Sequence, residues 1–195
     1  MGIQNRRERE RAERHQLIID AARELAEEEG WDAVTTRRLA DRVEYSQPVL
    51  YSHFKGKDAI VRAVAIQGFG VLGQELRKAR PRRGQTRLRA TAEAYLEFAR
   101  KRPALYDAMF VQQIDLSFGT EETPAELREA FAEMVAAVEP VVGQRDLETL
   151  TEVYWSTLHG IATLTRNARL RTGEHEARLE LALGALSLAQ QEDRP

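Results

Sequence analysis

The chain of 195 residues contains no cysteine. That removes disulfides, thiolate nucleophiles and cysteine-ligated metal sites together, and it suits a reducing compartment. Aromatic residues make up only 7%, so an apolar recess has few rings to build from. No uninterrupted apolar run approaches the ~18 residues of a spanning helix. The charged start, Asn5 to Arg11, has no apolar stretch behind it of signal-peptide type. The expected location is the cytoplasm. Strand-type alternation of useful length is missing too, which leaves an all-α class. His15, His53, His159 and His175 never form an H-x-x-x-H pair, and no G-x-S-x-G occurs. Glu174-His175-Glu176 reads as an exposed first turn rather than a metal site. Catalysis has little to work with, so no enzyme, metal or cofactor is expected.

What is present is apolar material for a core, 43% of residues, and a charge of −2 that is unevenly spread. A phosphate backbone responds to local charge rather than to the total. Residues 6 to 14 hold five arginines against three glutamates, and residues 35 to 57 hold Arg37, Arg38, Arg42, Lys55 and Lys57 against Asp41 and Glu44. The second cluster coincides with the most informative stretch of the chain. Thr35 can cap a short helix on which Leu39, Ala40 and Val43 recur, and Ser46 can cap a second on which Val49, Leu50 and Phe54 recur. The pair reads as a helix-turn-helix whose second helix fits a major groove. Before it, apolar positions 18, 21, 22, 25 and 26 mark one face of a helix over residues 15 to 29, closed by Gly30. Residues 5 to 14 read as a charged arm, a solvated tail or one that touches DNA, since Arg-rich arms can enter the minor groove. Glu27-Glu28-Glu29 reads as a solvated face.

The stretch from Ile18 to Ala63 resembles the N-terminal domain of the tetracycline-repressor (TetR) family of bacterial transcription regulators. The carriers are Ile18, Ala21, Ala22 and Leu25, then Gly30, Thr35 and Leu39-Ala40, then Leu50-Tyr51-x-His53-Phe54-x-x-Lys57. One departure is Glu44, where the family commonly has Gly in the turn; a left-handed backbone there would cost about 1 kcal/mol, so the turn either carries that strain or differs slightly. The chemistry of the side chains sorts the DNA-facing set. Arg37 can read guanine and Gln47 adenine, each bidentately, while Pro48 or Val49 can touch a thymine methyl. Thr35, Thr36, Ser46, Tyr51, His53 and Lys57 have donors suited to phosphate, where the resemblance also places matching positions. Leu39, Leu50 and Phe54 are core, and Tyr51 and His53 have an alternative as polar-tipped packing residues.

Past Lys57 the pattern is apolar nearly all round to residue 78, as in a helix buried between two bodies. Gly68-Phe69-Gly70-Val71-Leu72-Gly73 within it satisfies the dinucleotide template. It lacks the preceding strand, so it reads as glycines that weaken the helix by about 1 kcal/mol each and let it bend or pack closely. Helices are expected at 86–101, 103–110, 123–142 with a capping box at Thr123, from Asp146 to Leu170, and after Gly173 through Gln190, with a loop over 114–122. The expected domains are 1–56 for DNA binding and 57–195 for effector binding and dimerisation.

Leu179, Leu181, Ala182, Leu183, Ala185, Leu186, Leu188 and Ala189 spread round the last helix, more apolar surface than one chain can cover. The resemblance implies the same, a homodimer through a four-helix interface. Trp155-Ser156-Thr157-Leu158-His159-Gly160 resembles the Trp-His-Gly (WHG) element of one C-terminal subclass, with core packing, and Gly160 permitting close helix approach, as the plainer reading. The resemblance further implies a repressor, released from a two-fold operator on double-stranded DNA by a small effector. Tyr95, Phe98, Tyr106, Met109, Phe110, Phe131, Met134, Trp155 and His159 offer walls for a moderately apolar one. The rivals are a constitutive or architectural DNA-binding dimer without effector and, more distantly, a small helical enzyme or carrier.

Overall fold

The computed structural model describes residues 2–188, and among them the chain is helical with no strand. The helices are α1 (Gly2–Glu29), α2 (Thr36–Arg42), α3 (Gln47–His53), α4 (Lys57–Lys78), α5 (Arg87–Lys101), α6 (Pro103–Phe110), α7 (Ala125–Val138), α8 (Leu147–Arg166) and α9 (His175–Leu188). The expected end of the last helix at Gln190, with Ala189 and the side chain of Leu188, lies outside the described residues. Two compact units form, one up to Phe69 together with Arg102–Pro124, the other Gly70–Lys101 together with the chain from Ala125 onward.

The first unit is built on α1. Ile18, Ala22 and Leu25 are buried on its packed face, facing a core that includes Leu39, Leu50, Phe54, Ile60 and Val64. The helix stops at Gly30, whose φ of 85° is left-handed and suits only glycine without strain. Residues 5–14, expected as an arm, instead continue α1 as helix with their side chains exposed. Trp31 follows in a 3-10 turn, and its buried indole N–H donates to the Ala104 carbonyl at 2.7 Å. Glu27 accepts from the Ala104 N–H at 3.4 Å. These bonds bring α6 into the first unit, and by packing the chain divides within α4. A buried indole needs an acceptor, and α6 supplies it. Gly68 allows α6 close, since a Cβ there would lie 2.6 Å from Met109 Sδ and 3.0 Å from Leu105 Cδ1.

In the second unit Tyr95, Phe98 and Tyr154 are fully buried, and the Tyr154 hydroxyl donates to the Leu88 carbonyl at 2.7 Å. Gly73 packs on α7, where a Cβ would stand 3.3 Å from Ala130 Cα. The helix α7 ends at Val138 and gives way to a 3-10 turn over Glu139–Val141, short of the expected 142, because Pro140 has no N–H to continue the ladder. Asp146 caps α8 by accepting from Thr149 N–H at 2.8 Å. The helix ends at Arg166, before the expected Leu170. Ala168 turns left-handed at φ 51°, and the Arg169 and Ala168 amides close onto Leu164 and Thr165 carbonyls at 2.9 and 3.1 Å. That is a Schellman stop with alanine where glycine is usual.

Arg89 on α5 is held by Glu93 and reaches Glu176 and Glu180 of α9. The Arg145 guanidinium gathers carbonyls of Val141, Val142 and Leu186, the last two at 2.9 and 2.8 Å. On α9, Leu179, Leu183 and Leu186 are buried within the protomer, while Leu181 is 75% exposed. Val153 and Leu164 on α8 are exposed as well. Gly160 and Gly184 have nothing within 4 Å of a Cβ position among the described residues, so Gly160 serves no close helix approach among them.

Candidate nucleic-acid interface

The local chemistry of residues 35–54 explains their shape. Thr35 has extended backbone and its hydroxyl accepts from the Arg38 N–H at 3.2 Å, capping α2. At the far end the Tyr45 amide donates to the Ala40 carbonyl at 2.9 Å and the Glu44 amide to the Asp41 carbonyl at 3.3 Å, with Glu44 at φ 56°. Of the two alternatives at Glu44, the structure has the strained one, a glycine-type stop carried by a residue with a Cβ. Ser46 occupies the cap position of α3, yet its side chain makes no cap bond; Pro48 in the first turn lacks the N–H that would need one.

Leu39, Ala40, Val43, Leu50 and Phe54 are buried beneath the pair. Arg37, Ser46, Gln47, Pro48 and Tyr51 are exposed, and Thr36 and Val49 half-buried. Gln47, Pro48 and Tyr51 share one face of α3, and the Tyr51 and Thr36 hydroxyls lie 3.4 Å apart, tying α3 to α2.

The basic cluster is smaller than its composition. Arg38 makes a two-pronged pair with Glu29, at 2.9 and 2.5 Å, and Arg42 does so with Glu28, at 2.8 and 2.7 Å, while reaching Glu24 at 3.5 Å. Glu28 and Glu29, read as a solvated face, are thus partners of the helix-turn-helix, and the hydrogen bonds from Arg42 and Arg38 hold their carboxyls below the usual range. Lys57 donates to the Trp31 carbonyl at 2.5 Å. Arg37, by contrast, has no partner among the described residues. His53 is half-buried with Nδ1 unpartnered, 6.2 Å from the ring of His15, which stacks on Phe54 at 4.2 Å. Burial first, then the charges of His15, Arg11 and Arg14, depress the His53 pKa; burial and Arg11 do the same to His15. The proximity of the α1 arginines to α3 went unread in the sequence, although the spacing of 7, 11, 14, 15 and 18 along one helical face carries it.

The residues expected to wall an effector fall in both units. Tyr106, Met109 and Phe110 belong to the first unit, where Phe110 meets Phe69 edge-on at 5.4 Å and Tyr106 at 4.8 Å. Tyr95, Phe98, Phe131, Met134, Trp155 and His159 belong to the second. There Trp155 donates to the Tyr95 hydroxyl at 3.2 Å, and His159 lies 3.5 Å from the Thr163 hydroxyl with its pKa lowered by burial. Glu174-His175-Glu176 opens α9 on the surface, with Glu176 paired to Arg89. No cluster of metal-ligating side chains occurs among the described residues.

Two family models match the chain, "Bacterial regulatory proteins, tetR family" over residues 18–64 and "Tetracyclin repressor-like, C-terminal domain" over residues 88–186. It is similar to the uncharacterised HTH-type transcriptional regulator YobS of Bacillus subtilis (strain 168), 31% identical over 100 residues that cover 51% of this chain and 52% of that protein. It is also similar to the class D tetracycline repressor protein of Escherichia coli, 48% identical over 50 residues, 26% of this chain and 23% of the repressor. The chain thus spans about half the length of the first of these curated relatives and about a quarter of the second. In fold it resembles a protein of unknown function from Rhodococcus sp. RHA1, with a TM-score of 0.72 at 22% identity over 90% of this chain and 94% of that one. It likewise resembles a TetR variant from Acinetobacter baumannii AYE in complex with minocycline, with a TM-score of 0.62 at 21% identity over 91% and 96%.

Proposed function

Because the chain belongs to the tetR family of bacterial regulatory proteins, and is by that membership a DNA-binding transcriptional regulator, we propose that it works as a homodimeric repressor released from a two-fold operator by a small, moderately apolar effector. The observation that carries the DNA half is the α2–turn–α3 unit, with Gln47, Pro48 and Tyr51 exposed over buried Leu39 and Leu50. In this reading Arg37 and Gln47 address base edges, and Pro48 and Val49 a thymine methyl. Thr35, Thr36, Ser46, Tyr51 and His53 hold phosphates. Lys57 has two further N–H donors beyond the one on Trp31 and can add a phosphate while bracing that carbonyl.

The second copy covers the apolar residues left open on α8 and α9, Val153, Leu164 and Leu181. Residues 1–56 form the DNA-binding domain and 57–195 the effector and dimer domain. No helix is long and apolar enough to cross a membrane among the described residues, and the work is assigned to the cytoplasm. The effector is received in the second unit, by Tyr95, Phe98, Met134, Trp155 and His159, and it can release DNA only by favouring a conformation other than the bound one.

The test is selection of a preferred duplex from a random pool, followed by titration of variants. Gln47→Ala or Arg37→Ala is expected to cost about 1–3 kcal/mol on the selected duplex, little on a scrambled one, and to relax preference at one symmetric position in each half-site. Equal losses on both duplexes would assign these residues to mere adhesion and favour an architectural role.

A further inference from the structure

Residues 5–14 extend α1 by about 15 Å of exposed helix beyond His15. Their arginines are not equivalent. Arg6 is paired with Glu10 at 3.4 Å and Arg9 donates to its own helix at the Asn5 carbonyl. Arg7, Arg11 and Arg14 have no hydrogen bond or ion pair among the described residues. The three are spaced by four and three residues, and the same stripe runs on through Ile18, Ala22 and Leu25, the face by which α1 packs on its unit. The unpaired arginines therefore overhang in the direction of the packed side of α1, while Arg6 and Arg9 point away from it. The stacking of His15 on Phe54 fixes this stripe beside the C-terminal end of α3. Burial first, then the charges of His15, Arg11 and Arg14, lower the His53 pKa, so both arginines act within reach of that ring.

We propose that Arg7, Arg11 and Arg14 form a second, sequence-independent contact of the protein with the phosphate backbone of double-stranded DNA, beside the groove entered by α3. The proposal rests on the DNA-binding reading and deepens it. Because Arg38 and Arg42 are already occupied by glutamates of α1, the stripe supplies cationic contacts that the helix-turn-helix has given up to its own framework. A helical carrier also holds its arginines in place before binding, so little side-chain and backbone order remains to be imposed.

The experiment compares two charge-matched double variants of the full chain, Arg7→Ala/Arg11→Ala and Arg6→Ala/Arg9→Ala, by fluorescence anisotropy on a long mixed-sequence duplex over a series of salt concentrations. Melting curves verify that both remain folded. The first variant is expected to flatten the log–log salt dependence by about 0.9 for each phosphate no longer neutralised, and the second to leave it at the wild-type slope. An equal flattening in both would mean diffuse charge without contact and would overturn the proposal, as would no flattening in either. A wild-type chain that binds neither this duplex nor a selected one would instead sink the DNA-binding reading itself.

Discussion

Trp31 and Ala104, far apart in the chain, are joined by a buried hydrogen bond of 2.7 Å from indole nitrogen to backbone oxygen. The bond makes α6, which carries Tyr106, Met109 and Phe110, part of the same compact unit as the helix-turn-helix. It also ties α6 to the 3-10 turn that precedes α2, where Lys57 holds the Trp31 carbonyl. Trp31→Phe keeps most of the packing and removes the donor. It is expected to lower stability by about 0.5–1.5 kcal/mol, the net worth of one hydrogen bond, since the Ala104 carbonyl stays in the ladder of α6. Urea unfolding of the variant beside wild type measures it, and an unchanged midpoint would show that the bond contributes nothing.

The left-handed stops at Glu44 and Ala168 store strain that glycine would relieve. An L-residue there costs about 1–2 kcal/mol, and the greater freedom of glycine in the unfolded chain offsets up to about 1 kcal/mol of the relief. Glu44→Gly and Ala168→Gly are each expected to stabilise by up to about 1 kcal/mol, read as a rise in Tm of about 2–4 °C. A drop in Tm would mean that these side chains make contacts outweighing the strain.

Leu181 and Leu183 separate assembly from folding. Leu181 is exposed in the protomer and Leu183 buried. Leu181→Glu is expected to give a monomer of undiminished helicity in sedimentation. Leu183→Glu places a charge in the core and should unfold the chain. A Leu181→Glu protein that stays dimeric at micromolar concentration would move the interface elsewhere.

Acid should loosen the DNA-binding unit through two histidines, as it should the second unit through His159. His15 and His53 both lie below the ordinary 6.5 when folded. The unfolded chain binds the extra protons, so the contribution is fully present above about pH 6.5 and is lost as pH falls toward the depressed values. Melting curves from about pH 8 to about pH 5 should show Tm falling below 6.5, and the fall should shrink in His15→Gln/His53→Gln. The pairs of Glu28 and Glu29 would weaken only at lower pH, since their carboxyl pKa values are lowered too. An identical slope in wild type and variant would remove the histidines as its cause.

The parts of the fold legible in the sequence were those set by neighbours along the chain. The caps at Thr35 and Asp146 and the buried Leu39, Leu50 and Phe54 follow from spacing and from the preferences of single residues, whereas at Glu44 a strained turn and a different one stood equally open. The parts that escaped were decided by partners far away. Composition counts Arg38 and Arg42 as cations available to DNA; only the packing of α1 reveals the glutamates that hold them. Nothing near Pro103 announces that α6 belongs with Trp31. On α9 the leucines occur at almost every angle, so periodicity alone leaves open which face the protomer keeps; packing against the rest of its own unit buries Leu179, Leu183 and Leu186 and leaves Leu181 outside.

Arg145 bears on how fast two copies could find each other. Its guanidinium clasps the turn before α8 and the Leu186 carbonyl near the end of α9, so the two helices that present the apolar face are fastened together in a single subunit. A face already assembled before collision needs no folding step on the way in. Pairing would then be limited by encounter and orientation, at about 10⁵–10⁷ M⁻¹s⁻¹, and the lifetime of the pair by dissociation alone. In the proposed homodimer, a newly made subunit could enter an existing pair only as quickly as that pair separates.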